Sequence, residues 1–401
     1  MKRRTALVAA ALLPLLVLGT AGAIRGLTKD ALGSASPAAT DSILNPHPAA
    51  GPFTADETAI DECAATSDDR RVCLEQAFGN LAYRTSGKQA LAVMAERGAS
   101  TPEIAAGCHR IAHTIGAAVL ARENGDAAAA LAEGDSTCWS GFYHGLLERA
   151  LAPARSTGEL GRLLRTLCEP TSQNWARFTL YQCLHGLGHG LMLRTGNALE
   201  ASLDLCTRLN DEWSRQSCYG GAFMESFSPS LANEPPPFDA ADPLAPCPSV
   251  AETFKYYCYL QVADNLVRAT GYTWEDVARG CGAEPESRWR AVCFQGYGRQ
   301  ASGSNYGAPA DVATLCAVPG ATGEGECVYG AARDIASNAA SGRPAGAFCR
   351  LVVEKHRARC FEGVGTIVSN LELDRGAIRA RCAELARTFA RACLSGAGLS
   401  A

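Results

Sequence analysis

Only seven histidines occur in this chain of 401 residues, and five of them crowd into one region: His109, His113, His144, His185 and His189. His109 and His113 are four residues apart, as are His185 and His189, so on a helix each pair shares one face. Two imidazoles at that spacing, with a third from a neighbouring helix, make an open metal-site geometry. Zinc or copper suits imidazole ligands, and non-haem iron would want an added carboxylate, for which Glu148 and Glu225 are the candidates. Cys108 and Cys138 would join as thiolates if they are unpaired. Two other readings stand beside this one. The histidines could hydrogen-bond across helix interfaces as packing groups, or act in acid–base chemistry without a metal.

No specific catalytic motif accompanies the cluster. HExxH, CxxCH, GxSxG and GxxxxGKS are all missing from the sequence, which speaks against the common hydrolase, haem and nucleotide chemistries.

The elements that must position these histidines follow from an internal repeat. Ten short runs open on a cysteine, among them CHRIAHTIG at Cys108, CWSGFYHG at Cys138, CLHGLGHG at Cys183, CYGGAFME at Cys218 and CFQGYGRQ at Cys293. The intervals between run cysteines are 35, 30, 45, 35, 40, 35, 34, 33 and 33 residues. That is the period of a stacked two-helix unit. Apolar residues recur at helical intervals and no stretch alternates with period two, so the expected fold is all-α. The architecture this predicts is an α-solenoid of about ten αα-hairpin repeats of about 34 residues. Helix starts are expected at Ser100-Thr101-Pro102-Glu103 and at Thr273-Trp274-Glu275-Asp276. The long interval after Cys138 and the proline-rich stretch 229–246 read as insertions.

Counted from the run cysteine, the sixth position is His144 and His189, then Met224, Asp264, Arg299 and Arg333 in later repeats, while His113 falls one short of it. Equivalent positions in stacked helices lie about 10 Å apart, so this column can converge on one ion or ligand. Met224, Asp264, Arg299 and Arg333 are therefore candidate ligand-binding residues, the arginines for an anionic group. The bland alternative for the arginines is a solvated face. The third position is glycine in seven runs, Gly141, Gly186, Gly221, Gly296, Gly330, Gly363 and Gly396. Mid-helix glycine costs about 1 kcal/mol against alanine, so its recurrence predicts close helix packing. Trp139, Phe142, Tyr143, Tyr219, Phe223, Tyr297 and Tyr329 follow the run cysteines closely and read as packing residues.

An even set of 18 regularly spaced cysteines predicts a disulfide framework outside the reducing cytosol. Eight run cysteines have an upstream partner 10 to 15 residues away: Cys63 with Cys73, Cys168 with Cys183, Cys206 with Cys218, Cys247 with Cys258, Cys281 with Cys293, Cys316 with Cys327, Cys349 with Cys360, and Cys382 with Cys393. Each bridge would staple the two helices of one hairpin, contributing about 2 to 3 kcal/mol in the chain-entropy model. Cys108 and Cys138 remain. They either bond to each other across a repeat boundary or stay as thiolates.

The N-terminus starts MKRR, continues with an apolar run and reaches Ala21-Gly22-Ala23, so residues 1–23 read as a signal peptide or an uncleaved signal anchor. Either way the repeats face outside, and the membrane is met only through this segment. Residues 24–55 read as a flexible linker and 56–401 as the helical repeat domain. Hydrophobic residues make up 47% of the chain and charged ones 19%, enough apolar material for a continuous core. Loss of Lys2, Arg3 and Arg4 with a signal peptide takes the net charge from -4 to -7, which argues against a nucleic-acid partner.

Paired helices of this period, stapled by cysteine in an exported protein, resemble the disulfide-rich members of the Sel1-like and tetratricopeptide class. The similarity covers roughly residues 55 to 401 at the level of period and cysteine placement. What it implies is a scaffold whose concave surface recognises a protein, peptide or envelope component; it implies no reaction. That scaffold is the leading expectation for function. A metal-binding protein or metalloenzyme built on the five histidines is the alternative, and a purely structural envelope protein the third.

Overall fold

The computed structural model describes residues 44–45 and 51–400, apart from 66–68, 170–176, 230–238, 240, 270, 272, 306 and 373. The signal segment 1–23 and most of the linker 24–55 lie outside the described residues. The part of that linker that is described packs against the repeats. Leu44 is buried, Asn45 N–H donates to the carbonyl of Arg194, and Gln76 Nε2 donates to the carbonyl of Thr54.

The fold is all-α, with no strand among the described residues. Most repeats have a shorter outer helix and a longer inner helix that carries the run; the outer helix holds or ends near the upstream cysteine except before the inner helices Pro102–Arg122 and Thr137–Leu151, and in the last repeat the outer helix, Arg375–Ala386, is the longer of the two. The inner helices are α1 (Arg70–Arg84), α2 (Pro102–Arg122), α3 (Thr137–Leu151), α4 (Arg177–Arg194), α5 (Glu212–Phe227), α6 (Glu252–Gln261), α7 (Ser287–Ser304), α8 (Gly320–Asn338), α9 (Glu354–Leu371) and α10 (Ala390–Gly396). Each packs on the next in chain order. The sixth unit departs from the pattern, because turns around 241–250 replace its outer helix and carry Cys247.

Local chemistry accounts for the boundaries. Ser86, Ser156 and Asp211 accept from the backbone N–H three residues on, satisfying orphan donors at the starts of an outer helix, another outer helix and α5. α2 starts with Pro102 in its first turn behind Thr101. The eight local bridges expected from the cysteine spacing are present, with Cα–Cα distances between 5.4 and 5.8 Å. A ninth joins Cys108 to Cys138, α2 to α3, and no cysteine is free among the described residues. The thiolate reading of those two residues is thereby corrected: their sulfurs are used in holding α2 against α3. Nine bridges indicate an oxidising, extracytoplasmic environment.

The glycines let the inner helices meet backbone to backbone. A Cβ at Gly221 of α5 would collide with the carbonyl oxygen of His185 on α4, and one at Gly188 of α4 with the carbonyl of Cys218 on α5. Two helices thus exchange glycine-to-carbonyl contacts, which bring their long polar side chains within reach of each other.

The row of inner helices also curls back on itself. α8 touches α3 and α9 touches α4, so repeats far apart in sequence face each other across the inside. The Ser136 hydroxyl, just before α3, donates to the carbonyl of Asn338 at the end of α8 at 2.6 Å. The concave side is accordingly a narrow lumen. It holds a cavity of about 100 Å³ that joins one of about 270 Å³ at Met224, Gln261 and Arg299, and one of about 800 Å³ at Tyr181, His185 and Arg333.

Candidate metal centre

The five clustered histidines come from three consecutive inner helices, α2, α3 and α4, and their rings converge. Centroid separations are 4.7 Å for His109 and His113, 5.3 Å from His144 to each of those two, 3.9 Å from His144 to His189, and 5.2 Å from His185 to His189. His144 stands in the middle and is fully buried, and His113, His185 and His189 are nearly so. Ligand atoms of His109, His113 and His144 lie within 4.8 Å of one another, as do those of His144, His185 and His189, and those of Glu148, His189 and Glu225.

Hydrogen bonds at the ring edges decide the tautomers. His109 Nδ1 lies 2.7 Å from the carbonyl oxygen of Cys138, which can only accept, so Nδ1 carries the proton. His113 Nδ1 faces Glu148 at 3.2 Å and His189 Nδ1 faces Glu225 at 2.7 Å, so these rings also donate from Nδ1 to an anchored acceptor. The Nε2 lone pairs of neutral rings must then point inward. His109 Nε2 and His113 Nε2 stand 3.1 Å apart, and Nε2 of His189, Nδ1 of His185 and both nitrogens of His144 are buried with no hydrogen-bond partner.

The Nε2 lone pairs of His109, His113 and His189 and the one lone pair of a neutral His144 thus face one small volume, an arrangement that suits a cation. A single proton shared by His109 and His113 would satisfy that pair and leave His144 and His189 as they are. A metal ion satisfies several at once. Two ligands about 2.1 Å from a tetrahedral centre lie about 3.4 Å apart, close to the observed spacing of that pair. Carboxylate–histidine pairs such as Glu148–His113 and Glu225–His189 are the outer contacts that orient metal-bound imidazoles. Burial pushes His109 and His189 down to about 3 and holds His144 and His185 well below the ordinary imidazole range. Neighbouring imidazoles add to the lowering in each. Unprotonated nitrogens are what a metal requires.

The first turn of α3 is unusual. Cys138, Trp139 and Ser140 have φ of 52°, 55° and 61°, three successive left-handed residues where none is glycine. Each costs about 1 to 2 kcal/mol, and such strain gathers at functional sites. The Cys108–Cys138 bridge and the Ser136 contact hold the turn in place. Its effect is to aim the Cys138 carbonyl at His109 and to set the Trp139 ring 6.2 Å from the His109 ring.

The sixth-position residues reach the same lumen. Met224, Arg299 and Arg333 line the cavity of about 100 Å³ together with His144 and His185, and Asp264 lines the adjoining one with Met224 and Arg299. Glu148 and Glu225 stand behind His113 and His189 as proton acceptors. Trp139, read from the sequence as a packing residue, lines two of the three cavities. Sequence reasoning overlooked Tyr181, Tyr256 and Asp334. Tyr181 and Tyr256 each stand two places before a run cysteine, a shared register that marks them as lumen residues. Asp334 follows Arg333 and is buried, and burial raises its carboxyl to about 6. No protein-family model matches the chain, and no curated protein or solved structure shows significant similarity to it.

Proposed function

We propose that this protein is an extracytoplasmic metal-binding protein whose centre is formed by His109, His113, His144, His185 and His189. The observation that carries the reading is the convergence of the rings: a carbonyl and two carboxylates hold the Nδ1 edges of His109, His113 and His189 so that their Nε2 atoms face inward, and both nitrogens of His144 are buried and unpaired beside them. A neutral, nitrogen-rich donor set suits zinc or copper; non-haem iron would need Glu148 or Glu225 to turn from its histidine to the ion. The basic, apolar start of the chain delivers the repeats across a membrane, as a signal peptide or as an anchor. Elemental analysis of protein purified without an affinity tag tests this. Zinc or copper is expected at a defined stoichiometry, and His144→Ala with His189→Ala should remove it while the helical signal persists. No bound metal, and none taken up at micromolar concentration, sinks the proposal.

Recognition of a protein, peptide or envelope component on the concave side is the second reading. It draws support from the cleft of about 800 Å³ beside the cluster, whose walls include Tyr181, Trp213, Tyr256, Tyr257 and Trp289. A pull-down from the envelope fraction that recovers nothing reproducible counts against it.

A further inference from the structure

Opposite the imidazoles, the lumen holds two cations that the protein only partly neutralises. Arg299 on α7 and Arg333 on α8 line the cavity that His144 and His185 line from α3 and α4. Arg299 donates to the thioether sulfur of Met224 at 3.4 Å, a weak acceptor, and its nearest carboxylate oxygen, on Asp334, is 3.9 Å from Nε. Arg333 donates to the phenol of Tyr256 at 2.7 Å, and its Nε is buried with no partner. Asp334 is the single acidic side chain on this cavity among the described residues, and Asn338 Nδ2 already donates to it at 3.0 Å. Two guanidiniums therefore share one carboxylate. A half-buried cation whose closest partner is a thioether or a phenol is poorly compensated. Guanidinium forks match the geometry of carboxylate and phosphate groups, which would replace those poor partners with charge-assisted hydrogen bonds.

We propose that Arg299 and Arg333 bind the oxyanion group, carboxylate or phosphate, of a small organic anion, with its body directed into the aromatic cleft past Tyr181 and Tyr256. The cavity of about 100 Å³ accepts a compact head group, and its opening into the larger cleft at Tyr181, His185 and Arg333 provides room for a flat apolar body. The assignment uses no metal. It stands on the arginines alone and goes beyond the metal reading by naming what the neighbouring lumen takes.

Calorimetric titration of the disulfide-intact protein, with and without prior chelation, tests it using benzoate, phenyl phosphate, inorganic phosphate and phenol. Benzoate or phenyl phosphate should bind measurably, with phenol at least a hundredfold weaker. Inorganic phosphate binding as tightly as phenyl phosphate would place the whole affinity on the head group and overturn the assigned role of the cleft. Arg299→Gln and Arg333→Gln should each weaken binding tenfold or more, and the exposed Arg343→Gln should leave it unchanged. If a glutamine variant loses its helical signal, Arg299→Lys and Arg333→Lys decide instead: they keep the charge, lose the fork, and should weaken binding several-fold. Binding that survives chelation supports the arginine site even if the metal proposal fails. Binding abolished by chelation, equal binding of phenol and benzoate, or unchanged affinity in both arginine variants overturns it.

Discussion

Acidifying the metal-free protein should destabilise it steeply, and the magnitude follows from the buried imidazoles. His109 and His189 are held down to about 3 in the folded state, while an unfolded histidine titrates near 6.5. As pH falls below 6.5 the unfolded chain therefore takes up protons that the folded chain refuses, so this contribution to stability is complete above 6.5 and drains away down to about 3. Each such group costs about 1.4 kcal/mol per pH unit inside the window. His144 and His185 are displaced in the same direction. Asp334 works with the opposite sign. Its carboxyl is raised to about 6 from 3.8, so between those values the folded state takes its proton first and gains stability as pH falls, cancelling one histidine. The two imidazoles held near 3, set against one carboxylate, leave about 1.4 kcal/mol lost per pH unit just below pH 6, and His144 and His185 add to the loss in the same direction, against a typical folding free energy of about 5 to 15 kcal/mol. Guanidinium unfolding followed by circular dichroism, with disulfides intact and metal chelated, should show the midpoint falling between pH 6.5 and about 4.5. His109→Asn with His189→Asn should flatten the slope. A midpoint that stays level across that range refutes the buried, neutral cluster.

Three further outcomes follow from the same geometry. Glu225→Gln removes the carboxylate that orients His189 and should weaken metal affinity by about 10- to 100-fold in a competitive chelator titration, with the helical signal unchanged. Gly221→Ala drives a methyl into the His185 carbonyl, so α4 and α5 must separate; the thermal midpoint should fall by the equivalent of about 3 kcal/mol or more, and metal uptake should fall with it. Ser140→Gly relieves one left-handed residue at the start of α3 and should raise the thermal midpoint by the equivalent of about 1 kcal/mol, leaving metal binding intact.

The hairpin period, the all-α class and the bridges were legible because each is a local property. Cysteines 10 to 15 residues apart on successive helices of one hairpin can meet in only a few ways, and each pair found its neighbour. The i, i+4 histidine pairs likewise follow from helix geometry, and stacking α2, α3 and α4 in order sufficed to bring the five rings together. The glycine column was read correctly as packing, though not which carbonyl each glycine meets. Glu148 and Glu225 were found as acids near the cluster, but their place behind the imidazoles needed coordinates.

What sequence alone determined, then, was the unit and its register: cysteine as staple, glycine as contact, the sixth position facing inward. Only tertiary structure decided the curvature. Small rotations between successive repeats accumulate, and no local residue pattern reports their sum. That sum brings α8 against α3 and sets Arg299 and Arg333 across a cavity from His144 and His185. Read along the chain, these arginines looked as suited to a solvated face as to a ligand. Folded, they are half-buried cations facing a cluster of neutral imidazoles, because the superhelix closes on them.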